Sequence, residues 1–427
     1  MTDRSKAPSF NVPKRLVFPK PEEYELRNGL KLTAVNSGTS DIVRLSLVFN
    51  AGSRYQNQTF VASATLNMLS EGTRKYDAAK IAELLDFYGS ALEVNIDRDF
   101  ACISSYSLNK YLKETLEVLE QLVKYPTFPE EELKVYTQKH KERLIFERER
   151  IDKQAVELMV AALYGAMHPY GSFGKPEDYD SLTAKQLSEF HHSYYSPTNA
   201  FAVVSGKLSS NTISLVEDFL GSDSWGSPVI PADTKDFTIH HSIEKQLLKE
   251  MSDSVQSAIR IGKIMFSRTH PDYNGMTILN TIFGGYFGSR LMKNIREEKG
   301  YAYGIYSMLV GMKESGYFTI ATETGIDYTT DCINEIRKEL DILQNIPIKE
   351  EELALVKNYI IGDLLRSLDG PIALADVLID LKQSKLEYTQ VNDFFNEVVA
   401  ITPNRLQELA NTYLNTDTFT EVVVGNK

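Results

Sequence analysis

Apolar residues recur along this chain with two different periods. Short runs rich in β-branched and aromatic residues, such as IVRLSLVFNAG (42–52) and SGYFTIATET (315–324), predict strands. Longer stretches such as YLKETLEVLEQLVKY (111–125) place apolar residues three and four positions apart and predict amphipathic helices. Because strands precede long helices in both halves, the pattern predicts an α+β protein with mostly antiparallel sheets.

The chain also repeats itself. Residues 183–206 align without gaps on residues 402–425, with seven identical positions at a constant offset of 219. Each copy predicts a helix capped by threonine, a turn, and a buried strand that ends in glycine. PTFPEEELKVY (126–136) matches IPIKEEELALV (346–356) at an offset of 220, and both begin a helix with glutamates in its first turn. The agreement of the two offsets indicates an internal duplication.

The duplication divides the 427 residues into two homologous α+β domains. We predict a first domain at residues 1–220, a Gly-, Ser- and Pro-rich linker at 221–235, and a second domain at 236–427. Each domain is expected to pack its helices on one face of its sheet. Duplicated domains of this class often enclose a cavity, so we expect a substrate chamber between them.

Composition and net charge argue against several classes of partner and site. The formal net charge of −12 argues against nucleic acid, which rewards basic surfaces. The two cysteines, Cys102 and Cys332, exclude a disulfide scaffold and a cysteine-rich zinc site, and we expect both to be buried. Residues 1–25 contain no apolar run of signal-peptide length, and no stretch approaches a membrane span. We therefore expect a cytoplasmic protein.

The histidines do not form a recognisable metal motif. No two of the seven stand four apart on a predicted helix, so H-E-x-x-H and its inverted form H-x-x-E-H are both missing. The doublets His191–His192 and His240–His241 direct neighbouring side chains differently, which favours solvated or capping roles over a ligand pair. G-x-S-x-G, the P-loop and G-x-G-x-x-G are missing too.

The stretch FGGYFGSRLMKNIREEKGYAYGIYSM (283–308) carries the candidate chemistry. Its glycines at Gly284, Gly285 and Gly288 allow close backbone approach and positive φ, and we assign them to substrate binding. A helix is predicted from about Ser289 to Lys299.

Beyond that helix, the sequence predicts a chain reversal. Gly300 is placed as the C-cap residue, and in the following strand Tyr301, Tyr303 and Ile305 are expected to share one face. Arg296 lies at the border of the helix's apolar stripe, so helix and strand can bring its guanidinium and the Tyr303 phenol toward the same space. The alternative is a surface arginine paired with a neighbouring glutamate, Glu297 or Glu298, and a tyrosine that fills the core.

These residues resemble the pitrilysin / mitochondrial processing peptidase family of inverted-motif zinc peptidases. The shared features are the duplicated α+β half, the GGxxxSRL turn and R-E-x-x-G-x-x-Y in the second half. The resemblance covers nearly the whole chain and includes NGLKLTAVNSG (28–38), VFNAGSRYQ (48–56), LSEGTRKY (69–76), YYSPTNA (194–200) and the final VVVGNK.

The zinc shell of the family is not matched. Complete members carry H-x-x-E-H on a helix before an E-G-T or K-G-T turn, with a further glutamate downstream. Aligned on the turn of VASATLNMLSEGT (61–73), the two histidine positions and the glutamate position hold Ser63, Asn67 and Leu66. The third ligand position falls near Leu144 or Ile145, with Glu142 and Glu147 close by. The side chains of Ser63, Asn67 and Leu66 offer no imidazole and no base for water, so we expect no catalytic zinc in this chain.

The second half does match the family. Arg296 and Tyr303 fall on its arginine–tyrosine pair, which can donate hydrogen bonds to a carbonyl oxygen that becomes an oxyanion, or hold the peptide backbone in register. The pattern resembles the non-zinc subunit of a bacterial heterodimeric peptidase. The resemblance implies a homologous partner with H-x-x-E-H that carries the zinc, and extended peptides or unfolded segments as substrates. When alone, the chain is open to forming a homodimer.

Two other functions stay open at this point. One is a structural subunit like the inactive relatives in respiratory complexes, although a scaffold has no need of the arginine–tyrosine pair. The other is a peptide-binding protein without catalysis.

Overall fold

Two β-sheets, one in each half of the chain, organise the fold. The computed structural model describes residues 13, 15–227, 238–240, 242 and 244–426, and these form eleven strands and thirteen α-helices. Strands β1 to β11 span Glu22–Glu25, Lys31–Asn36, Ile42–Phe49, Ala91–Ile96, Ala101–Leu108, Ala200–Gly206, Gln246–Glu250, Gln256–Met265, Ala302–Gly311, Gly316–Gly325 and Thr420–Gly425. Helices α1 to α13 span Val61–Asn67, Ala78–Tyr88, Leu112–Lys124, Glu130–Arg148, Ile151–Tyr164, Ala184–Tyr194, Thr212–Val216, Tyr273–Asn280, Thr329–Asn345, Glu350–Ser367, Pro371–Gln383, Gln390–Ala400 and Pro403–Tyr413.

The two sheets share a topology. The first has the order β1-β2-β6-β3-β5-β4 and the second β7-β11-β8-β10-β9. Among the described strands, β2 with β6 and β7 with β11 pair in parallel, and all other pairs are antiparallel. In each sheet the late strand, β6 or β11, therefore lies between one parallel and one antiparallel neighbour. The predicted α+β class with mostly antiparallel sheets is confirmed.

The repeated segments adopt the same local structure. Helices α6 and α13 are each capped by a threonine, because the Thr183 and Thr402 side chains accept hydrogen bonds from the backbone N–H groups of Gln186 and Arg405. The strands that follow, β6 and β11, are buried over most of their length. The predicted pairing of these segments is thus visible in the structure.

The first part of the predicted linker belongs to the first half. Trp225 is buried, and its ring lies 6.0 Å from that of Phe49 in an edge-on arrangement. Its indole N–H donates to the Leu220 carbonyl at 3.3 Å, and the Ser227 N–H donates to the His192 carbonyl at 2.7 Å. Predicted linker residues from 228 onward lie outside the described residues.

Helix α5 crosses from the first half to the second. Its apolar face, with Ala155, Met159 and Leu163, packs on β8 and β11 of the second sheet, where it meets Ala258 and Val422. The contacts recur at intervals of four residues, as on one face of a helix.

Helix α11 makes the reciprocal crossing. Its residues Leu374 and Leu378 pack on Val35, Val48 and Val203 of the first sheet. The sequence prediction of helices on one face of each sheet is therefore incomplete, because the second face of each sheet is partly covered by a helix of the opposite half. This exchange explains why central strands such as β3 are buried on both faces.

Hydrogen bonds between the tips of two hairpins join the two halves. Asp99, at the tip between β4 and β5, accepts hydrogen bonds from the Lys313 backbone N–H at 3.0 Å, in the turn between β9 and β10, and from the Tyr170 hydroxyl at 2.8 Å. Its carboxylate also pairs with the buried guanidinium of Arg54 at 2.8 Å. In turn, the Tyr170 hydroxyl accepts from the Glu314 N–H at 3.3 Å.

Three further predictions concern the cysteines, the histidine doublets and membrane-spanning segments. Cys332 is buried as predicted, whereas Cys102 is only partly buried. In the first histidine doublet, His191 is buried on α6 and His192 is exposed, so the two do not converge; His241 of the second doublet lies outside the described residues. Over the part of the chain that the structure describes, no helix combines the length and apolarity needed to cross a membrane.

The helix exchange predicts a large cost for Leu378→Ala. Leu378 is 2% exposed, and its truncation leaves a cavity between α11 and the first sheet. We expect a loss of about 2–5 kcal/mol in the free energy of unfolding, measured with urea. Leu355→Ala is the matched control, since Leu355 is 63% exposed on α10, and it should stay within about 0.5 kcal/mol of wild type. Equal effects of the two variants would contradict the exchange as a source of stability.

His191 predicts a loss of stability in mild acid. Burial lowers the pKa of His191 from 6.5 to about 4, and its Nε2 lies 2.9 Å from the Val123 carbonyl oxygen, to which the neutral ring donates. Between these two pKa values the unfolded chain binds a proton that the folded chain does not, so stability falls as the pH drops through this window. From pH 7 to pH 5 we expect wild type to lose about 2 kcal/mol more than His191→Gln, which keeps an N–H donor. The exposed neighbour provides the control, His192→Gln, which should behave as wild type; a His191→Gln slope equal to that of wild type would refute the assignment.

Candidate active site

The predicted helix before Gly300 is present but is wound more loosely than an α-helix. Met292–Glu298 forms a π-helical segment, and the Lys299 N–H donates to the Asn294 carbonyl five residues earlier at 2.9 Å. Gly300 has φ +66°, and the next N–H, of Tyr301, donates to the Ile295 carbonyl at 3.0 Å. The helix end predicted at Gly300 is confirmed, with a left-handed glycine reversing the chain.

A β-bulge sets the direction of Tyr303. In the ladder between β9 and β10, Ala302 is opposite Thr324 and Ile305 is opposite Thr322, so Tyr303 and Gly304 share one partner position. The prediction that Tyr303 and Ile305 share a face is therefore wrong. Ile305 is buried, whereas Tyr303 is 91% exposed, because the extra residue shifts the alternation by one.

Two threonines hold the bulge. The Thr322 hydroxyl donates to the Gly304 carbonyl at 2.8 Å, and the Thr324 hydroxyl donates to the Tyr301 carbonyl at 2.6 Å. Both threonines are buried, so these bonds tie the backbone on either side of Tyr303 to buried side chains of β10. The two threonines of β10 thus fix the exposed position of Tyr303.

Arg296 and Tyr303 come together at this open edge of the second sheet. The Arg296 guanidinium carbon lies 5.2 Å from the centre of the Tyr303 ring and 4.7 Å from the centre of the Phe287 ring. Since β9 is the last strand of its sheet, the pair lies at an edge with an unpaired side. The structure therefore brings the two predicted residues together and adds Phe287, which no sequence pattern indicates.

The alternative for these two residues does not hold. Among the described residues, no carboxylate lies within ion-pair distance of the Arg296 guanidinium, so the pairing with Glu297 or Glu298 is not formed. Tyr303 does not fill the core. The guanidinium is held by two rings and keeps its N–H groups available for a ligand.

The three glycines are placed differently from the prediction. Gly284 and Gly285 end a π-helical segment, Thr281–Gly285, and none of Gly284, Gly285 and Gly288 has a positive φ. A Cβ atom at Gly284 would lie 2.5 Å from the Ser307 hydroxyl of β9, so this glycine permits close packing of helix on strand. Their assignment to substrate binding stays a prediction.

The zinc-ligand positions of α1 serve the local fold. The Ser63 hydroxyl donates to the Phe60 carbonyl at 3.0 Å, and the Asn67 amide donates to the Ser63 carbonyl at 2.7 Å. Leu66, at the position of the general base, is buried in the core of the first half. These residues do not fit a zinc ion, because no imidazole or carboxylate projects from this face.

The facing helix α4 also lacks the third ligand. Leu144 packs on the core of the first half, and Ile145 is exposed. Of the two nearby glutamates, Glu147 pairs with Arg143 at 2.8 Å and Glu142 accepts a hydrogen bond from Gln138. No group of three or more His, Cys, Asp or Glu side chains among the described residues is arranged to hold a metal ion.

An aromatic cluster lies beside Ser63 and Asn67. The rings of Tyr136 and His140, both on α4, lie 4.1 Å apart. Burial lowers the pKa of His140, and burial raises the pKa of Tyr136 more than its contacts with Ser63 and Asn67 lower it. Both rings are thus held neutral at pH 7 next to the ligand positions.

The cavity between the halves does not contain the arginine–tyrosine pair. It measures about 400 Å³ and is lined from both halves, for example by Arg98 and Tyr317. This volume suits a small molecule rather than a folded or extended polypeptide. The substrate chamber expected between the halves is therefore not formed around Arg296 and Tyr303 by this cavity.

Two family models match adjoining parts of the chain. Residues 32–174 match the model described as "Insulinase (Peptidase family M16)". Residues 181–360, which include Arg296 and Tyr303, match "Peptidase M16 inactive domain".

Relatives of similar length match almost from end to end. The "Uncharacterized zinc protease YmxG" of Bacillus subtilis (strain 168) is 24% identical over 401 residues, which cover 93% of this chain and 96% of that protein. A solved peptidase M16 inactive domain from Pseudomonas fluorescens superposes with a TM-score of 0.86 at 24% identity, covering 95% of this chain and 98% of the other.

A second solved structure, a protease from Helicobacter pylori, also has a TM-score of 0.86, at 18% identity, over 96% of this chain and 100% of its own. At these identities the superpositions show the fold, and the two family models add the assignment of each half. The chain belongs to the M16 family of insulinase- and pitrilysin-like peptidases, with an inactive-type domain in its second half.

Proposed function

We propose that this chain is the non-zinc subunit of a two-chain M16 peptidase, to which it contributes Arg296 and Tyr303. The observation that carries the proposal is the state of Arg296. Its guanidinium is held between Phe287 and Tyr303 at an exposed sheet edge, and no described carboxylate neutralises it. A pair kept for structure alone would be buried or paired with a neighbouring glutamate.

The chemistry available to the pair is hydrogen-bond donation. A phenol and a guanidinium at one edge donate to a peptide carbonyl oxygen, and they do so most strongly when that oxygen gains negative charge. A preorganised donor of this kind contributes on the order of 2.7–4 kcal/mol to lowering the barrier. In this proposal the zinc ion and its activated water belong to the partner chain, because Ser63, Leu66 and Asn67 cannot hold them.

The substrate class follows from the same edge. Backbone groups on the outer side of β9 have no strand partner among the described residues. An extended peptide can pair with such an edge, and it would then run past Arg296 and Tyr303. We propose peptides or unfolded segments as substrates and a homologous chain with H-x-x-E-H as the partner.

A cytoplasmic location is part of the proposal. Cys102, on β5, and Cys332, on α9, are both free thiols and lie in different halves. Free thiols are usual in reducing compartments.

The first test uses the chain alone. We expect well below one zinc per purified chain by metal analysis, and no cleavage of a quenched fluorogenic peptide library, because no residue at the family's ligand positions can hold zinc. One tightly bound zinc per chain, or cleavage that a chelator stops, would overturn this division of roles.

The second test uses the chain co-purified with a homologue from the same genome that has an intact H-x-x-E-H. Tyr303→Phe and Arg296→Ala should each lower kcat by on the order of 10²–10³, with assembly unchanged by size-exclusion chromatography, because each removes a donor to the oxyanion. Arg366→Ala is the control, since its side chain is 82% exposed on α10. Unchanged rates in both test variants would favour a structural or peptide-binding role.

A further inference from the structure

The cavity between the halves has the form of a ligand site. Its volume of about 400 Å³ falls within the range of small-molecule sites, about 300–1,000 Å³, which often lie at domain interfaces. Both halves line it, because the β4–β5 hairpin and α5 approach the β9–β10 hairpin and α11 here. It lies at the far end of β9 from the arginine–tyrosine pair: Val310 is seven residues from Tyr303, or about 23 Å along an extended strand.

Arg98 places a positive charge on the wall of this cavity. Its Nη1 donates to the Ser172 carbonyl at 2.9 Å, and its guanidinium carbon lies 4.7 Å from the centre of the Phe173 ring. Within the described part of the chain, no carboxylate lies within ion-pair distance of Arg98. A guanidinium satisfied only by a carbonyl and a ring retains donors for an anion.

Three carboxylates, Asp97, Asp99 and Asp380, lie in the same wall, and each accepts hydrogen bonds from, or forms an ion pair with, groups other than Arg98. Asp97 accepts the backbone N–H groups of Asp99 and Phe100, both at 2.7 Å. Asp380 pairs with Arg268, and Asp99 is taken up by Arg54 and the hairpin contacts. Arg98 lies near Asp97 and Asp99 but forms a direct ion pair with neither, so its remaining N–H groups are available to a ligand.

The other two cations of the described lining have partners of their own, since Arg268 pairs with Asp380 and Lys313 donates to the Asn50 side chain at 3.0 Å. The lining also contains an apolar patch. Phe100, Val156, Val160, Phe173 and Val310 face the cavity from both halves. An apolar patch beside a guanidinium that has no direct ion-pair partner suits a ligand with a hydrocarbon body and a single negative end.

We propose that this cavity binds a small apolar carboxylate, whose carboxylate group accepts hydrogen bonds from Arg98 and whose hydrocarbon part packs on Phe100, Val160 and Val310. The site is separate from the proposed peptidase site and does not need a partner chain. Because the lining comes from both halves, a bound ligand also stabilises their association.

The test is isothermal titration calorimetry on the full chain with 3-phenylpropionate and its neutral isostere 3-phenylpropanamide. We expect the acid to bind about tenfold or more tightly than the amide, because a hydrogen bond from Arg98 to a charged carboxylate is stronger than one to a neutral amide oxygen. Arg98→Met should remove this preference. Arg74→Met is the matched control, because Arg74 also lies over a ring, that of Tyr125, but is exposed and away from the cavity.

A second variant tests the proposal even if Arg98→Met fails to fold. Val156→Trp leaves Arg98 in place and fills the cavity from a partly exposed position on α5, so it should weaken both probes while the thermal midpoint without ligand stays near that of wild type. N-acetyl-Ala-Phe distinguishes the source of the carboxylate: binding tighter than 3-phenylpropionate identifies a peptide C-terminus, and weaker binding identifies a free small acid.

Equal affinity for the acid and the amide, or full affinity for the acid in Arg98→Met, would overturn the proposal. Neither result bears on Arg296 and Tyr303, so the peptidase proposal stands or falls separately.

Discussion

The reciprocal exchange of α5 and α11 is the constraint on which the rest of this structure depends. Each sheet needs a helix from the opposite half to cover its second face, so neither half completes its own core. The buried Arg54–Asp99 pair and its hydrogen bonds to the opposing hairpin fix the relative position of the halves. A buried ion pair of this kind specifies geometry more than it stabilises. The edge strands β4 and β9 are consequently presented in a fixed arrangement.

The proposed half of an active site requires this rigidity. Arg296 is oriented by rings on both sides, and the Tyr303 phenol is turned outward by a bulge that two buried threonines hold. Neither residue depends on a ligand for its position, which is the condition for efficient electrostatic stabilisation of a transition state. In the first half, the positions aligned with the family's zinc ligands hold side chains that bond to their own helix or enter the core.

Features that depend on a few neighbouring residues could be predicted from the sequence. The threonine-capped helices α6 and α13, the strands after them and the helix end at Gly300 all follow from spacing and residue type. The helix exchange could not be predicted, because an apolar helix face does not specify which sheet it covers. The outward direction of Tyr303 was missed for a related reason: strict alternation assumes a regular ladder, and the bulge depends on hydroxyl groups in the neighbouring strand. Phe287 could not be selected from the sequence, because a single aromatic residue near a turn is common and indicates no particular function.

The central claim is that Arg296 and Tyr303 meet a metal carried by another chain, and a distance measurement tests it most directly. The chain is labelled with 3-fluorotyrosine at position 303 and mixed with the homologous H-x-x-E-H subunit loaded with either Co²⁺ or Zn²⁺. We predict that the ¹⁹F signal broadens strongly in the Co²⁺ complex and stays sharp in the Zn²⁺ complex, because the phenol lies near the metal. A complex that assembles but leaves the ¹⁹F signal at position 303 unchanged by Co²⁺ would contradict the account.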